Sequence, residues 1–255
     1  MLSVPEIQIH SYLVVTIFVA AALTFIALFY VTAPYGRHLR SGWGPTVPAR
    51  IGWIVMESPA VLLFVAVYLM GEHARSMVPL VFLGLWQFHY IYRTFIYPFR
   101  LRSGSHRMPM SIVGMAIFFN CINAYINARW ISHFGDYPDA WLASTAFIVG
   151  VVVFLLGWAI NQHSDTVLFR LRDPGETGYK IPHGGLYRRV SCPNYLGEML
   201  EWVGWALAAW SLAGLAFAVF TIANLLPRAI ANHRWYQRQF ADYPAERRAI
   251  IPFLW

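Results

Sequence analysis

Charge is the first thing this 255-residue chain lacks. Asp, Glu, Lys and Arg make up only 12% of it, against about a quarter in soluble domains, while 58% is hydrophobic. With a mean hydropathy of +0.49, an ordinary water-soluble domain is excluded and an integral membrane protein is indicated. Cysteine is equally scarce. Cys121 and Cys192 stand alone, with no CxxC and no Cys/His spacing suited to zinc, which excludes a disulfide framework and a metal site. No GxGxxG and no GxxxxGK[ST] occurs, so a nucleotide, if bound, is not held by a Rossmann or P-loop device. The net charge is +7, yet no basic block exceeds Arg188-Arg189 or Arg247-Arg248, so nucleic acid is not an expected partner. Repeats, low-complexity tracts and domain linkers are absent as well.

Long apolar runs are what the chain has instead. A helix needs about 20 mostly apolar residues to cross the hydrocarbon, and seven segments qualify: 11–33, 51–70, 78–97, 109–128, 142–161, 195–211 and 213–232. The run 11–33 lacks a basic leader and exceeds a signal-peptide core, so it is expected to remain as the first membrane helix. Most of the 19 lysines and arginines fall in loops on one side, whereas Arg75 and Arg129 fall on the other. The positive-inside rule then puts the N-terminus outside and the C-terminus in the cytoplasm. The expectation is a single all-α domain, 1–255, folded as a seven-transmembrane helix bundle and monomeric, in a bacterial inner membrane or the endoplasmic reticulum. The largest polar stretch, 162–194, carries Pro-Gly, Gly-Gly and Cys-Pro breakers and reads as a cytoplasmic loop.

Within the apolar runs lie groups that lipid does not welcome. Glu57 sits in "IGWIVMESPAVLLFVAVYLM", and a carboxylate in hydrocarbon costs at least ~2.5 kcal/mol. Arg93, Glu198, Glu201, His89 and several asparagines, among them Asn120, keep it company. So many polar groups point to an internal cavity, although ion pairs between helices, such as Arg93 with Glu201, account for any one of them. In "SCPNYLGEMLEWVGW", Ser191 is a candidate helix cap and Pro193 an early helical residue, with Asn194, Glu198 and Glu201 on one face at i, i+4 and i+7. The N-terminus of that helix suits phosphate, and Arg172, Arg188, Arg189, Arg228 and Arg234 are candidate forks for it, or else headgroup contacts. Asp165, Asp173 and Glu176 are candidate ribose partners, or partners of those arginines.

Several stretches together resemble one family. They are "PYGRH" (34–38), "VPARIGWIVMESP" (47–59), "FHYIYRTFIYP" (88–98), residues 160–212 with "PGETGYK" and "PNYLGEMLEW", and "PRAIANHRWYQRQFADYPAERRAIIPFLW" (227–255). The resemblance is to the steroid 5α-reductases, membrane enzymes that reduce the 4,5 double bond of 3-oxo-Δ4 steroids with NADPH, and it suits a divergent or bacterial-type member. It implies that Asn161, Asp165, Arg172, Tyr179, Asn194, Glu198, Arg228, Tyr236 and Arg107 line an NADPH site built mostly by residues 155–255. It implies further that residues 1–108 supply the substrate pocket, with Glu57 and Tyr90 at the steroid 3-oxo group and Trp53 and Met56 beside them. Three positions depart from the family pattern: Met56 for glutamine, Lys180 for arginine and Asn232 for histidine.

The chemistry suits those residues. Hydride added to the β-carbon of an enone sends negative charge to the carbonyl oxygen, where a hydrogen-bond donor in a low-dielectric pocket is most effective. Tyr90 can donate there, with Glu57 either a second donor as a neutral acid or a carboxylate that orients the Tyr90 hydroxyl. Three other readings remain open at the level of sequence. A membrane methyltransferase using S-adenosylmethionine shares the "PNYLGE" helix, a sterol reductase could act at another double bond, and a lipid-binding or transport protein would need no nucleotide ligands.

Overall fold

The computed structural model describes residues 5–101, 107–171, 176 and 178–252. Each of the seven apolar segments coincides with a helix. These are α1 (Glu6–Tyr30), α2 (Ala49–Tyr68), α3 (Met77–Ile91), α5 (Met110–Arg129), α6 (Thr145–Arg170), α7 (Pro193–Ala209) and α8 (Leu212–Gln239), with a short α4 (Tyr97–Arg100) continuing α3. Five helical stretches are long and apolar enough to cross a membrane: α1, α2, α5 with the turn that follows it, α6 and α8. The chain is thus a mostly helical membrane protein. α3 stops at 15 residues and α7 at 17, and α7 carries Glu198 and Glu201, which makes both shorter or more polar than the other five.

Two expectations need correction. The stretch 162–194 is not all loop, because α6 runs nine residues beyond 161. The helix pattern continues through Ser164, Asp165 and Leu168 because their helix face packs against α7, so polar residues stay helical where a hydropathy window ends. The fold is otherwise helical but for one short strand pair. Residues Thr46–Pro48 (β1) pair antiparallel with Arg107–Pro109 (β2), tying the start of α2 to the start of α5. Ser191 is no helix cap either; α7 begins after Cys192 without a side-chain cap. The Ser191 hydroxyl instead bonds His233 Nδ1 and Tyr243 Oη, both at 2.6 Å. Beside it, residues 189–192 run along 248–249, with Ser191 N donating to the Arg248 carbonyl at 2.9 Å.

The α3–α4 junction contains a widened turn, Tyr92–Ile96, in which the Tyr97 N–H reaches back five residues to the Tyr92 carbonyl. Pro98 accounts for it. Its ring lacks an N–H and clashes with the carbonyl four residues earlier, and a widened turn relieves that clash without ending the helix. At the other tight spot, α7 reverses into α8 through Trp210, the one non-glycine residue with positive φ (45°) among those described, and Ser211, whose side chain accepts from Gly214 N at 3.0 Å.

α6 and α7 make the most extensive helix pair of the bundle, with α2 against α5 and α1 against α8 next. Glycines explain the first. Gly150 and Gly157 on α6, and Gly197 and Gly204 on α7, recur at a spacing of seven and face each other. A Cβ on Gly157 would lie 2.3 Å from the Glu201 backbone nitrogen, and one on Gly204 would lie 2.3 Å from that of Phe154. The two backbones therefore touch with no side chain between them, the way small residues let membrane helices associate. Around this seam, Trp86, Trp202, Trp205, Phe82, Phe154 and Phe217 form the main aromatic core. We expect Gly157→Ala and Gly204→Ala each to destabilise the protein by about 1–3 kcal/mol, as overpacking does elsewhere. Thermal unfolding in detergent checks this, with Gly84→Ala, which meets nothing within 4 Å, as the control of unchanged melting temperature.

Candidate active site

The seam between α6 and α7 opens at one end into the main cavity, of about 290 Å³. α6 supplies Asn161 and Asp165 to its wall, α7 supplies Asn194 and Glu198, and α8 supplies Arg228, Asn232 and Tyr236. The turn after α1 adds Tyr35, Arg37 and His38, while Trp53 of α2 and Arg93 of the widened turn close the inner end. Arg107 and Tyr179 also reach it. Of the nine residues the resemblance assigned to a cofactor, eight therefore line one cavity. Arg172 lies outside the described residues.

Hydrogen bonds fix much of this wall. Asn161 Nδ2 donates to the Asn194 carbonyl at 3.0 Å, and Asn194 Nδ2 donates to Asp165 Oδ1 at 3.1 Å, so the two helices hold their polar ends in register. Arg228 donates to Asn224 Oδ1 and to the Tyr195 hydroxyl, each at 2.9 Å, and its guanidinium lies 4.8 Å from the Tyr35 ring centre. Arg107 is anchored by Thr46 through its Nε and Nη2. Burial pushes the Cys192 thiol up to about 11 and the Tyr187 hydroxyl well above its ordinary value, so both stay neutral on the wall.

Sequence reasoning missed Arg37. Its guanidinium lies 4.7 Å from the Trp235 ring centre, 4.6 Å from that of Tyr236 and 5.4 Å from that of Tyr179, an aromatic cage that holds it at the cavity. Yet its buried Nη1 has no hydrogen-bond partner among the described residues, and neither does the Tyr187 hydroxyl. A buried unsatisfied donor is costly, and on a cavity wall it is a donor available for a ligand acceptor. The only sequence signal for Arg37 lay in the short "PYGRH" match. Conversely, Arg188, Arg189 and Arg234 do not line this cavity; all three are exposed, the first two in the turn before α7 and the third on another face of α8.

One helical turn deeper sit the two residues expected to meet a carbonyl. Glu57 is one turn along α2 from Trp53, and Tyr90 precedes Arg93 by three residues on α3. No hydrogen bond joins Glu57 to Tyr90 among the described residues. Glu57 Oε2 instead accepts from Asn120 Nδ2 at 3.1 Å, and the same amide donates to the Met56 carbonyl at 2.7 Å. Asn120 of α5 was visible as a polar residue in a membrane run, but nothing in the sequence tied it to Glu57. Arg93, Glu198 and His89 lie within electrostatic reach of Glu57, and Glu57 within reach of Tyr90. Met56 packs with Met108 and Val113 and does not itself line the main cavity, although Met108 does.

The ion pairs also differ from the sequence expectation. Arg93 pairs with Glu198 at 3.6 Å, not with Glu201, and its guanidinium stacks 4.5 Å from both the Trp53 and Tyr97 ring centres. Glu201, fully buried, takes His89 Nδ1 at 2.7 Å. The reason is helix phase: Glu198 shares the cavity-facing side of α7 with Asn194, whereas Glu201 turns toward α3 beside Trp202. Among the described residues, no cluster of three or more His, Cys, Asp or Glu could hold a metal.

Comparison with known proteins shows the family. Residues 106–255, which carry most of the cavity wall, match the family model described as 3-oxo-5-alpha-steroid 4-dehydrogenase. The chain is 42% identical over 252 residues to a steroid 5-alpha-reductase of Gossypium hirsutum, covering 97% of this chain and 98% of that protein. It is 44% identical to the steroid 5-alpha-reductase of Arabidopsis thaliana, with 96% of each chain covered. Against 3-oxo-5-alpha-steroid 4-dehydrogenase 1 of Rattus norvegicus it is 41% identical, covering 92% of this chain and 91% of the other. On the family-model match and this similarity over nearly the whole chain, this chain belongs to the 3-oxo-5-alpha-steroid 4-dehydrogenase family of oxidoreductases.

Proposed function

We propose that the protein reduces the 4,5 double bond of 3-oxo-Δ4 steroids to 5α-reduced 3-oxo steroids, with NADPH as the reductant. The observation that carries this reading is the main cavity itself: a wall of arginine forks and amides, with the buried Arg37 Nη1 unpartnered among the described residues, ending one helical turn from Glu57 and Tyr90. The donor set fits the cofactor. Arg37, Arg107 and Arg228 suit phosphate oxygens, and the Asn161, Asn194 and Asp165 ends suit amide and hydroxyl groups. Bound NADPH supplies the hydride.

The remaining work belongs to the chain. Tyr90 donates a hydrogen bond to the steroid 3-oxo oxygen as charge gathers there, and Glu57 acts on the same oxygen or on the Tyr90 hydroxyl. Asn120 holds the Glu57 carboxyl by donating to one oxygen, which leaves the other for the substrate or Tyr90. Arg93, stacked between Trp53 and Tyr97 and paired with Glu198, sets the boundary between the charged cavity and the apolar end where the steroid rings lie. Buried aromatic groups around Trp86, Tyr90 and Trp202 exclude water from that end.

Purified protein in detergent, given NADPH and a panel of Δ4-3-oxo steroids, is expected to oxidise the cofactor and yield 5α-reduced product; neither event with any steroid on the panel sinks the proposal. Glu57→Gln and Tyr90→Phe are expected to lower turnover by about 10²–10³ each while NADPH still binds, the scale of losing one donor to a developing oxyanion. Asn120→Ala should produce a smaller fall in turnover with little change in NADPH affinity, and near-normal turnover in all three variants refutes the assignment. Arg37→Ala and Arg172→Ala should each raise the NADPH dissociation constant about tenfold or more, the worth of a charge-assisted hydrogen bond. Isothermal titration without steroid reads this directly, and unchanged affinity in both removes these arginines from the phosphate site.

A further inference from the structure

A second cavity, of about 250 Å³, lies in the crevice between the end of α1 and the last turns of α8. Its inner part is apolar, made by Leu28 and Phe29 of α1 and by Pro227 and Ile230 of α8. Its outer rim is cationic, made by Arg234 and Arg238. These two arginines stand one helical turn apart on the same face, both exposed, and neither has a hydrogen bond or ion pair among the described residues. Among the described residues no acidic one lines the crevice, and His38, which does, has its ring held below the ordinary histidine range by burial and so stays neutral, hydrogen-bonded to Asn232 Oδ1 at 3.0 Å.

Apolar depth under a two-arginine rim on membrane-length helices has one ligand chemistry that fits it. We propose that this crevice binds an anionic phospholipid, its phosphate held by Arg234 and Arg238 and an acyl chain laid along Leu28, Phe29 and Ile230. Two guanidinium forks one turn apart converge on a single phosphodiester. A soluble anion would satisfy the rim but leave the apolar part empty, and the α1 surface beside it is made for lipid: Ile26 is 56% and Phe29 49% exposed. The site is not isolated. Thr32 and His38 line both cavities, and Trp235, which walls the lipid crevice, carries Arg37 of the main cavity at 4.7 Å from its ring. An occupied crevice therefore buttresses Trp235 and His38, which contact Arg37 and Asn232 on the wall of the main cavity, and this is the route by which the lipid strengthens anion binding there.

Native mass spectrometry of the detergent-purified protein, titrated with phosphatidylglycerol and phosphatidylcholine of the same acyl chains, tests the binding without any turnover assay. One phosphatidylglycerol is expected to be retained with about tenfold preference over phosphatidylcholine, the scale of two arginines at an anionic headgroup. Arg234→Gln with Arg238→Gln should abolish that preference while leaving the melting temperature unchanged, and inorganic phosphate at millimolar concentration should not displace the lipid. Equal retention of the two lipids, a preference that survives in the double variant, or displacement by phosphate alone each overturns the site. In vesicles of phosphatidylglycerol, against phosphatidylcholine alone, NADPH affinity of the unaltered protein should rise severalfold, and that of the double variant should not. Identical affinity in both vesicles overturns the coupling even where the lipid binds.

Discussion

Everything at the site depends on the direct backbone contact of α6 with α7. Four glycines spaced seven apart let the two helices meet with no Cβ between them, and van der Waals contact of this kind is what lipid leaves available to drive helix association. Its consequence is positional. Asn161 and Asp165 at the end of one helix and Asn194 at the start of the other are brought close enough to bond across the seam. A bulkier seam would move each polar end by more than a hydrogen bond can follow.

From that seam outward, polarity is graded. The mouth is lined by arginines, the inner end is closed by the Arg93–Glu198 pair with Arg93 stacked on Trp53, and one helical turn beyond it lie Glu57, Asn120 and Tyr90 near buried tryptophans. One helical turn along α2 and α3 thus carries the surroundings from charged to largely apolar. Glu201 and His89 satisfy one another just behind this boundary, leaving Glu201 Oε2 buried without a partner among the described residues.

Hydropathy made the helices legible, because seven apolar runs of membrane length admit few other structures, and the family resemblance, not any local pattern, pointed to most of the residues that line the cavity. What the sequence did not show was pairing. Periodicity puts Glu198 and Glu201 on one side of α7, about 60° apart, but which neighbour stands opposite each, Arg93 for one and His89 for the other, is set by how α3 and the turn after it pack on α7. Asn120 was unreadable as the partner of Glu57 because the two are 63 residues apart on helices whose packing no local pattern encodes. Arg37 hid in a short turn, where its role comes from three aromatic rings supplied by residues 179, 235 and 236. The end of α6 was misjudged because a hydropathy window stops where polarity begins, although a helix packed against a partner does not.

The widened turn at Tyr92–Ile96 bears on how this protein tolerates change in length. A regular α-helix advances 100° per residue, so the extra residue in this turn rotates everything after it relative to everything before it. Tyr90 and Trp86 keep one phase, in the core, while Tyr97 keeps another, facing the main cavity. Deleting a single residue here would leave a straighter helix of almost the same composition, with its two functional faces turned out of alignment. The segment thus works as a phase shifter, and its length is constrained more tightly than its identity.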